Sequence, residues 1–160
     1  MTASMKMRFD SIACYVVRPA ADGRSHELLQ LRRAEGQYMG GAWSTVRGLV
    51  EKGETAFAAA LRELREETGL IPSDFYQLDT VDVFYLAVDD TIWHSPGFCA
   101  IVSRDAQVAL NDEHDAFRWI ERWRIDEEFL WPGERAQLAE LRREILDNGP
   151  AKPHLRIKLP

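Results

Sequence analysis

Residues 48–70 read GLVEKGETAFAAALRELREETGL, and this stretch restricts the fold more than any other part of the chain. Glu63, Glu66 and Glu67 stand at offsets of three and four. In a helix, at about 100° per residue, they share one face with neighbouring Cβ atoms about 5–6 Å apart. Phe57, Leu61, Leu64 and Thr68 repeat at the same period and predict a second, buried face. A helix is therefore expected over 55–68, with Gly69 as its C-terminal cap. Carboxylates stacked on one face repel one another and destabilise a helix unless a cation lies between them. The pattern predicts a divalent metal.

The same residues resemble the Nudix box: Gly, five residues, Glu, seven residues, Arg-Glu, an aliphatic, any residue, Glu-Glu, any residue, Gly, an aliphatic. The matching positions are Gly48, Glu54, Arg62, Glu63, Leu64, Glu66, Glu67, Gly69 and Leu70, without departure. The resemblance implies an α/β fold, a Nudix-type α/β/α sandwich with a central mixed β-sheet. It also implies Mg²⁺ held by Glu63, Glu66 and Glu67 and by the backbone near Gly48, with Mn²⁺ as a substitute. Oxygen ligands suit such hard cations. Glu54 and Arg62 are expected to support the cluster, because an arginine beside glutamates orients a carboxylate through a bidentate hydrogen bond.

At 160 residues the chain suits one domain with its own core, and nearly half of its residues are hydrophobic. A single domain over 1–150 is expected, followed by an extended tail over 151–160, NGPAKPHLRIKLP being rich in proline and weakly periodic. The net charge of −6 argues against sequence-independent binding to nucleic acid, which needs a basic surface. It leaves phosphate-bearing small molecules open, since a metal supplies positive charge locally. No apolar run approaches the roughly 20 residues that span a membrane, and MTASMKMRFD lacks the apolar region of a secretory signal. A soluble, cytoplasmic protein is expected. Cys14 and Cys99, each in a β-like run, read as reduced core thiols.

Strands are predicted over 9–18, 26–32, 44–50, 78–88, 97–103 and 117–120, with a glycine-rich loop over 33–43 and a surface helix over 133–146. Alternation of strands and helices supports a sheet covered on both faces. Outside the box, Glu113 lies in the polar segment NDEHDA ahead of FRWI. Pterin-type Nudix hydrolases, of the dihydroneopterin triphosphate pyrophosphohydrolase kind, carry a similar Glu-His before a Trp-bearing strand. That likeness implies a role for Glu113 in binding metal or activating water. Catalysis is accordingly expected from Glu63, Glu66 and Glu113. Arg32 is a candidate phosphate clamp, and Arg47, where pterin-type relatives carry threonine, a candidate phosphate contact. Tyr38 and Trp43 could stack on a base or pterin ring.

The resemblance implies hydrolysis of a phosphoanhydride in a nucleoside or pterin triphosphate, or in another nucleoside diphosphate linked to a group X, and it leaves a homodimer open. Two alternatives stand beside it. A Nudix-fold sensor would bind nucleotide without chemistry, although such domains usually lose box glutamates. A Nudix-fold isomerase of isoprenoid diphosphates would use a cysteine and a glutamate at carbon.

Overall fold

The computed structural model describes residues 4–160; the first three residues of the expected domain lie outside it. The elements run β1 (Lys6–Arg8), β2 (Ser11–Pro19), β3 (His26–Arg33), β4 (Trp43–Ser44), β5 (Val46–Leu49), α1 (Ala56–Thr68), β6 (Asp74–Leu86), β7 (Thr91–Ile101) and β8 (His114–Glu121). A 3₁₀ turn (Arg122–Arg124) then leads into α2 (Ile125–Glu128) and α3 (Pro132–Glu140), which continues through a wider π turn at Leu141–Leu146. The chain closes with α4 (Lys152–Leu155) and β9 (Arg156–Ile157).

The strands form one mixed sheet in the order β4-β3-β2-β7-β6-β9, with β1 on β7, β5 on β2 and β8 on β3. β2 and β1 each run parallel to β7, and the other pairings are antiparallel. Side chains on a strand alternate between faces, and β2 divides two cores in this way. Ile12, Cys14 and Val16 join Ala59, Ala60 and Leu64 of α1 on one face. Ala13, Tyr15 and Val17 join Ile125, Phe129, Leu138 and Leu141 on the other. This is the α/β/α sandwich expected from the sequence.

α1 starts where predicted. Thr55 Oγ1 accepts from the Ala58 amide at 3.3 Å, and Gly69 ends the helix at φ 70°, a left-handed conformation that glycine adopts without a Cβ clash. Its buried stripe differs from the expected one. Ala59, Ala60, Leu64, Glu67 and Thr68 are buried, whereas Phe57 is 38% exposed and Leu61 only partly covered. With the small Ala59 and Ala60 seated against the sheet, the buried stripe runs on through Leu64 and Glu67. One of the three glutamates is thereby carried into the core.

Other differences concern hairpins and ends. β6 begins at Asp74 and β7 at Thr91, both earlier than predicted, because the two pair from Leu86↔Thr91 back to Asp74↔Ile101 across a bulge between Gln77 and Val81. Pairing satisfies the polar backbone of Thr91–Ser95, a segment with no clear period of its own. The tail is not simply extended. Its α4 turn buries Leu155, and Ile157 and Arg156 pair with Phe75 and Tyr76 on the edge of β6. Cys14 and Cys99 are free, buried thiols raised in pKa by burial.

Candidate active site

Arg62 organises the box. Its Nε and Nη2 donate to Glu54 Oε1 and Oε2 at 2.9 and 3.0 Å, a forked pairing that fixes both planes. Nη1 donates to Glu63 Oε1 at 2.8 Å and Glu66 Oε2 at 3.2 Å, and Nη2 also donates to the Leu49 carbonyl at 2.9 Å. The same arginine therefore ties the helix to β5 and to the turn before the helix. Its hydrogen bond holds the Glu54 carboxyl below the usual range. Glu54 and Arg62, expected to support the cluster, are the two partners of this fork.

The three helix carboxylates differ sharply in environment. The Glu66 side chain is 55% exposed, and among the described residues it pairs only with Arg62. Glu63 is mostly covered and lies over Gly48, where any Cβ would overlap its carboxyl group. Burial raises its pKa, the Arg62 hydrogen bond opposes that, and the charges of Glu66 and Glu113 add to it. Glu67 is 2% exposed, and its Oε2 has no hydrogen-bond partner among the described residues. Burial first, then the charges of Glu63 and Glu113, push its carboxyl up to about 9.

A buried carboxyl oxygen without a partner is costly, and Glu67 can hold its charge here only beside a cation. An oxygen donor set with an orphaned buried carboxylate fits a hard divalent metal. The side chains are not yet gathered round one point. Among the described residues no three of His, Cys, Asp and Glu converge tightly enough to hold a metal ion, since Glu63 is turned onto Arg62.

Glu113 stands at the rim. It is exposed, and its charge bears on both Glu63 and Glu67. Its backbone is pinned on both sides: the amide donates to Asn111 Oδ1 at 3.2 Å, and the carbonyl accepts from the Ala34 amide at 2.9 Å. His114 beside it is buried, pairs with Arg33 in the sheet, and is lowered in pKa by burial and by Arg33. The structure thus gathers Gly48, Glu63, Glu67 and Glu113 on the α1 side.

The substrate-side candidates do not join them. Arg32 follows the alternation of Leu28 and Gln30 and falls on the α3 face, where its Nε donates to Asp115 Oδ1 at 2.6 Å. Trp43, opposite Arg32 in β4, lies under the Arg118 guanidinium, 4.3 Å from its ring centroid. Tyr38 is 67% exposed, and its carbonyl accepts from Arg33 Nε at 2.6 Å. Arg47, expected to meet a phosphate, turns to the α3 face and donates through Nη2 to Glu134 Oε1 at 2.8 Å. Its neighbours Val46 and Gly48 take the α1 face, so strand parity directs the Arg47 side chain away from the box.

Sequence reasoning missed two charged residues here. The Arg33 charge lowers the pKa of Glu67 against burial and the neighbouring carboxylates, while its Nε donates to the Tyr38 carbonyl. The Arg32-Arg33 doublet was visible, and the alternation of β3, with Leu29 and Leu31 in the α1-side core, could have told the two apart. Glu134, the partner of Arg47, sits in a helix that looked like an ordinary surface helix, and no local signal marked it.

Comparisons with known proteins agree with this architecture. The NUDIX domain family model matches residues 7–141. Bis(5'-nucleosyl)-tetraphosphatase of Sus scrofa is 31% identical over 107 residues, covering 64% of this chain and 69% of that protein. An octanoyltransferase of Myxococcus xanthus is 42% identical over 97 residues, 59% of this chain, and the chain spans only 26% of that protein's length. Among solved structures, a C. elegans Ap4A hydrolase binary complex superposes with a TM-score of 0.70 at 19% identity, covering 90% of this chain and 99% of that one.

Proposed function

The chain belongs to the Nudix hydrolase family, and from that membership and the geometry of its box we propose that it is a Mg²⁺-dependent pyrophosphohydrolase. Its substrate is a nucleoside or pterin triphosphate, or another nucleoside diphosphate linked to a group X. The observation that carries this reading is Glu67, a buried carboxylate with an orphaned oxygen beside Glu63 and Glu113. Such an arrangement is unfavourable in a protein that never meets a cation.

Glu67 and Glu63 with the backbone at Gly48 would hold the metal, and Glu66 or Glu113 would complete the set as the substrate requires. When bound, Mg²⁺ neutralises phosphate charge and lowers the pKa of water. The protein's own part is positional. Arg62 orients Glu63, its fork fixes Glu54 in the turn before the helix, and its bond to the Leu49 carbonyl ties the helix to β5. In hydrolysis the water oxygen bonds to phosphorus, the bridging P–O bond breaks, and the water proton goes to a carboxylate. Glu113, exposed at the rim and free of side-chain pairing among the described residues, is the group open to accept it. Arg32, Trp43 and Arg47 face the other side of the sheet, which leaves Tyr38, exposed in the loop before β4, for the rest of the substrate. No feature favours the isomerase, since both cysteine thiols are fully buried.

A panel of nucleoside triphosphates, dinucleoside tetraphosphates and dihydroneopterin triphosphate, assayed with Mg²⁺ for released phosphate and pyrophosphate, tests the reading. Metal-dependent turnover of at least one member that chelation abolishes is the expected result. Tight binding without turnover of any member would establish the sensor alternative. No helix among the described residues is long and apolar enough to cross a membrane, and sedimentation at micromolar concentration decides between monomer and homodimer.

A further inference from the structure

On the sheet face opposite α1 lies a buried polar cluster that the box does not use. Arg47 donates to Glu134, which is 1% exposed. Asp82, also buried, rests against the first turn of α3, where a Cβ on Gly133 would overlap its carboxylate. Tyr15 Oη donates to Gln137 Oε1 at 2.7 Å, and Gln137 Nε2 donates to the carbonyls of Thr80 and Ser95 at 3.0 and 3.2 Å. A buried ion pair gains little net stability over apolar residues of similar volume, because desolvation offsets the attraction. What it does fix is position.

Position matters here because of what β5 carries. The strand is only four residues long and pairs with β2 from Ser11↔Leu49 to Cys14↔Val46. On its α1 face Gly48 forms the floor on which Glu63 lies. The Arg47 backbone amide lies near enough to the Glu67 carboxyl to lower its pKa against burial. The Leu49 carbonyl is held by Arg62. Arg62 thus holds the strand from the α1 side, and the Arg47–Glu134 pair holds it from the α3 side.

We infer that Arg47 is a positioning residue for the box: by gripping Glu134 through the sheet, its guanidinium sets the placement of residues 46–48, and with it the floor under Glu63 and the amide offered to Glu67. The inference rests on the reading of the box as the catalytic centre. Arg47 itself touches neither carboxylate through its side chain, nor does it face the space above them.

The test uses full-length Arg47→Met, Arg47→Lys and the double variant Arg47→Met/Glu134→Met. Each is followed by kcat and KM on a substrate the parent hydrolyses, by Mn²⁺ affinity from electron paramagnetic resonance, and by the amide resonances of residues 46–48 in the metal-free protein. Arg47→Met is expected to lower kcat by about 10- to 100-fold, the scale of a small misplacement of catalytic groups, with KM within about 3-fold. Mn²⁺ affinity falls, and the amides of residues 47 and 48 shift and lose exchange protection. Arg47→Lys, which keeps a charge on Glu134, restores most of kcat.

The double variant leaves neither partner of the pair as an unpaired buried charge, so it carries the test if Arg47→Met does not fold. It should recover thermal stability without recovering kcat or the amide positions. Parental kcat in the double variant would reduce the pair to a stability element and overturn the inference. A raised KM with unchanged kcat would overturn it too, by placing Arg47 on substrate. If the parent turns over no panel member, the catalytic reading fails by itself, while the amide resonances and Mn²⁺ affinity still decide the role of Arg47.

Discussion

Glu67 shows how much a single residue's environment can differ from its neighbours' at the same helical spacing. Glu66, one position earlier, is solvated, while Glu67 faces the sheet with an unpartnered oxygen. Replacing Glu67 with Gln keeps size and removes the charge. Turnover should fall by about 10²-fold or more, in the range seen when one electrostatic contact to a reacting group is lost. Mg²⁺ should raise the melting temperature of the parent, by binding the folded state only, and leave that of Glu67→Gln nearly unmoved. A metal-induced shift of parental size in the variant would remove Glu67 from the ligand set. Glu113 calls for a different measurement, because it is exposed and its backbone is already held by Asn111 and Ala34. Glu113→Ala should lower kcat far more than it changes KM, with stability within about 0.5 kcal/mol of the parent. An unchanged kcat would confine the chemistry to α1 and β5.

At the level of elements, the contact between α3 and the sheet is unusual in being polar. Asp82 of β6 is packed among Arg47 of β5, Glu134 of α3 and Tyr15 of β2. Burial raises its pKa, the Arg47 charge opposes the rise, and the Glu134 charge adds to it. A carboxyl raised on folding contributes stability that is fully present below its unfolded pKa and is lost as pH rises through the folded one. The parent should therefore lose part of its stability as pH climbs from the ordinary carboxylate range toward neutral. Asp82→Asn, which cannot ionise, should gain on the parent across that window. Urea midpoints for both proteins between pH 4 and 7 check this, and parallel curves would mean that folding leaves the Asp82 pKa unshifted. α1, by contrast, is held by ordinary devices, and Thr55→Ala should cost about 1 kcal/mol by removing its cap.

Considered as a whole molecule, the protein is two cores divided by one sheet, and the short C-terminal segment reaches both. Leu155 packs into the α3-side core, while Ile157 and Leu159 pack against the α1-side core. β9 covers the edge of β6, where an open strand would invite association with other chains, and Arg156 pairs with Asp74. Ending the chain after Pro150 should cost about 2–5 kcal/mol, taking about 1.5–3 kcal/mol for each well-buried aliphatic side chain. It should also increase aggregation. A truncated protein as stable and as monodisperse as the parent would show that residues 151–160 add nothing to the fold.

What the sequence determined by itself is what local chemistry decides. The α1 helix, its Thr55 and Gly69 ends, the supporting Arg62–Glu54 pair and the central strands were legible, because caps, turn residues and hydrophobic period act within a few residues. The carboxylates of the box were legible as a set, since spacing alone places them together. Only the tertiary structure decided which of them is buried, because that depends on how α1 seats Ala59 and Ala60 against the sheet. Only the sheet decided that Arg47 faces away from the box and that Arg33 falls on the opposite face from Arg32, since strand pairing and parity set those directions. Glu134 and the C-terminal strand find partners far along the chain, at Arg47 and at Phe75 and Tyr76. Contacts at that separation leave no period in the sequence, and folding alone brings them together.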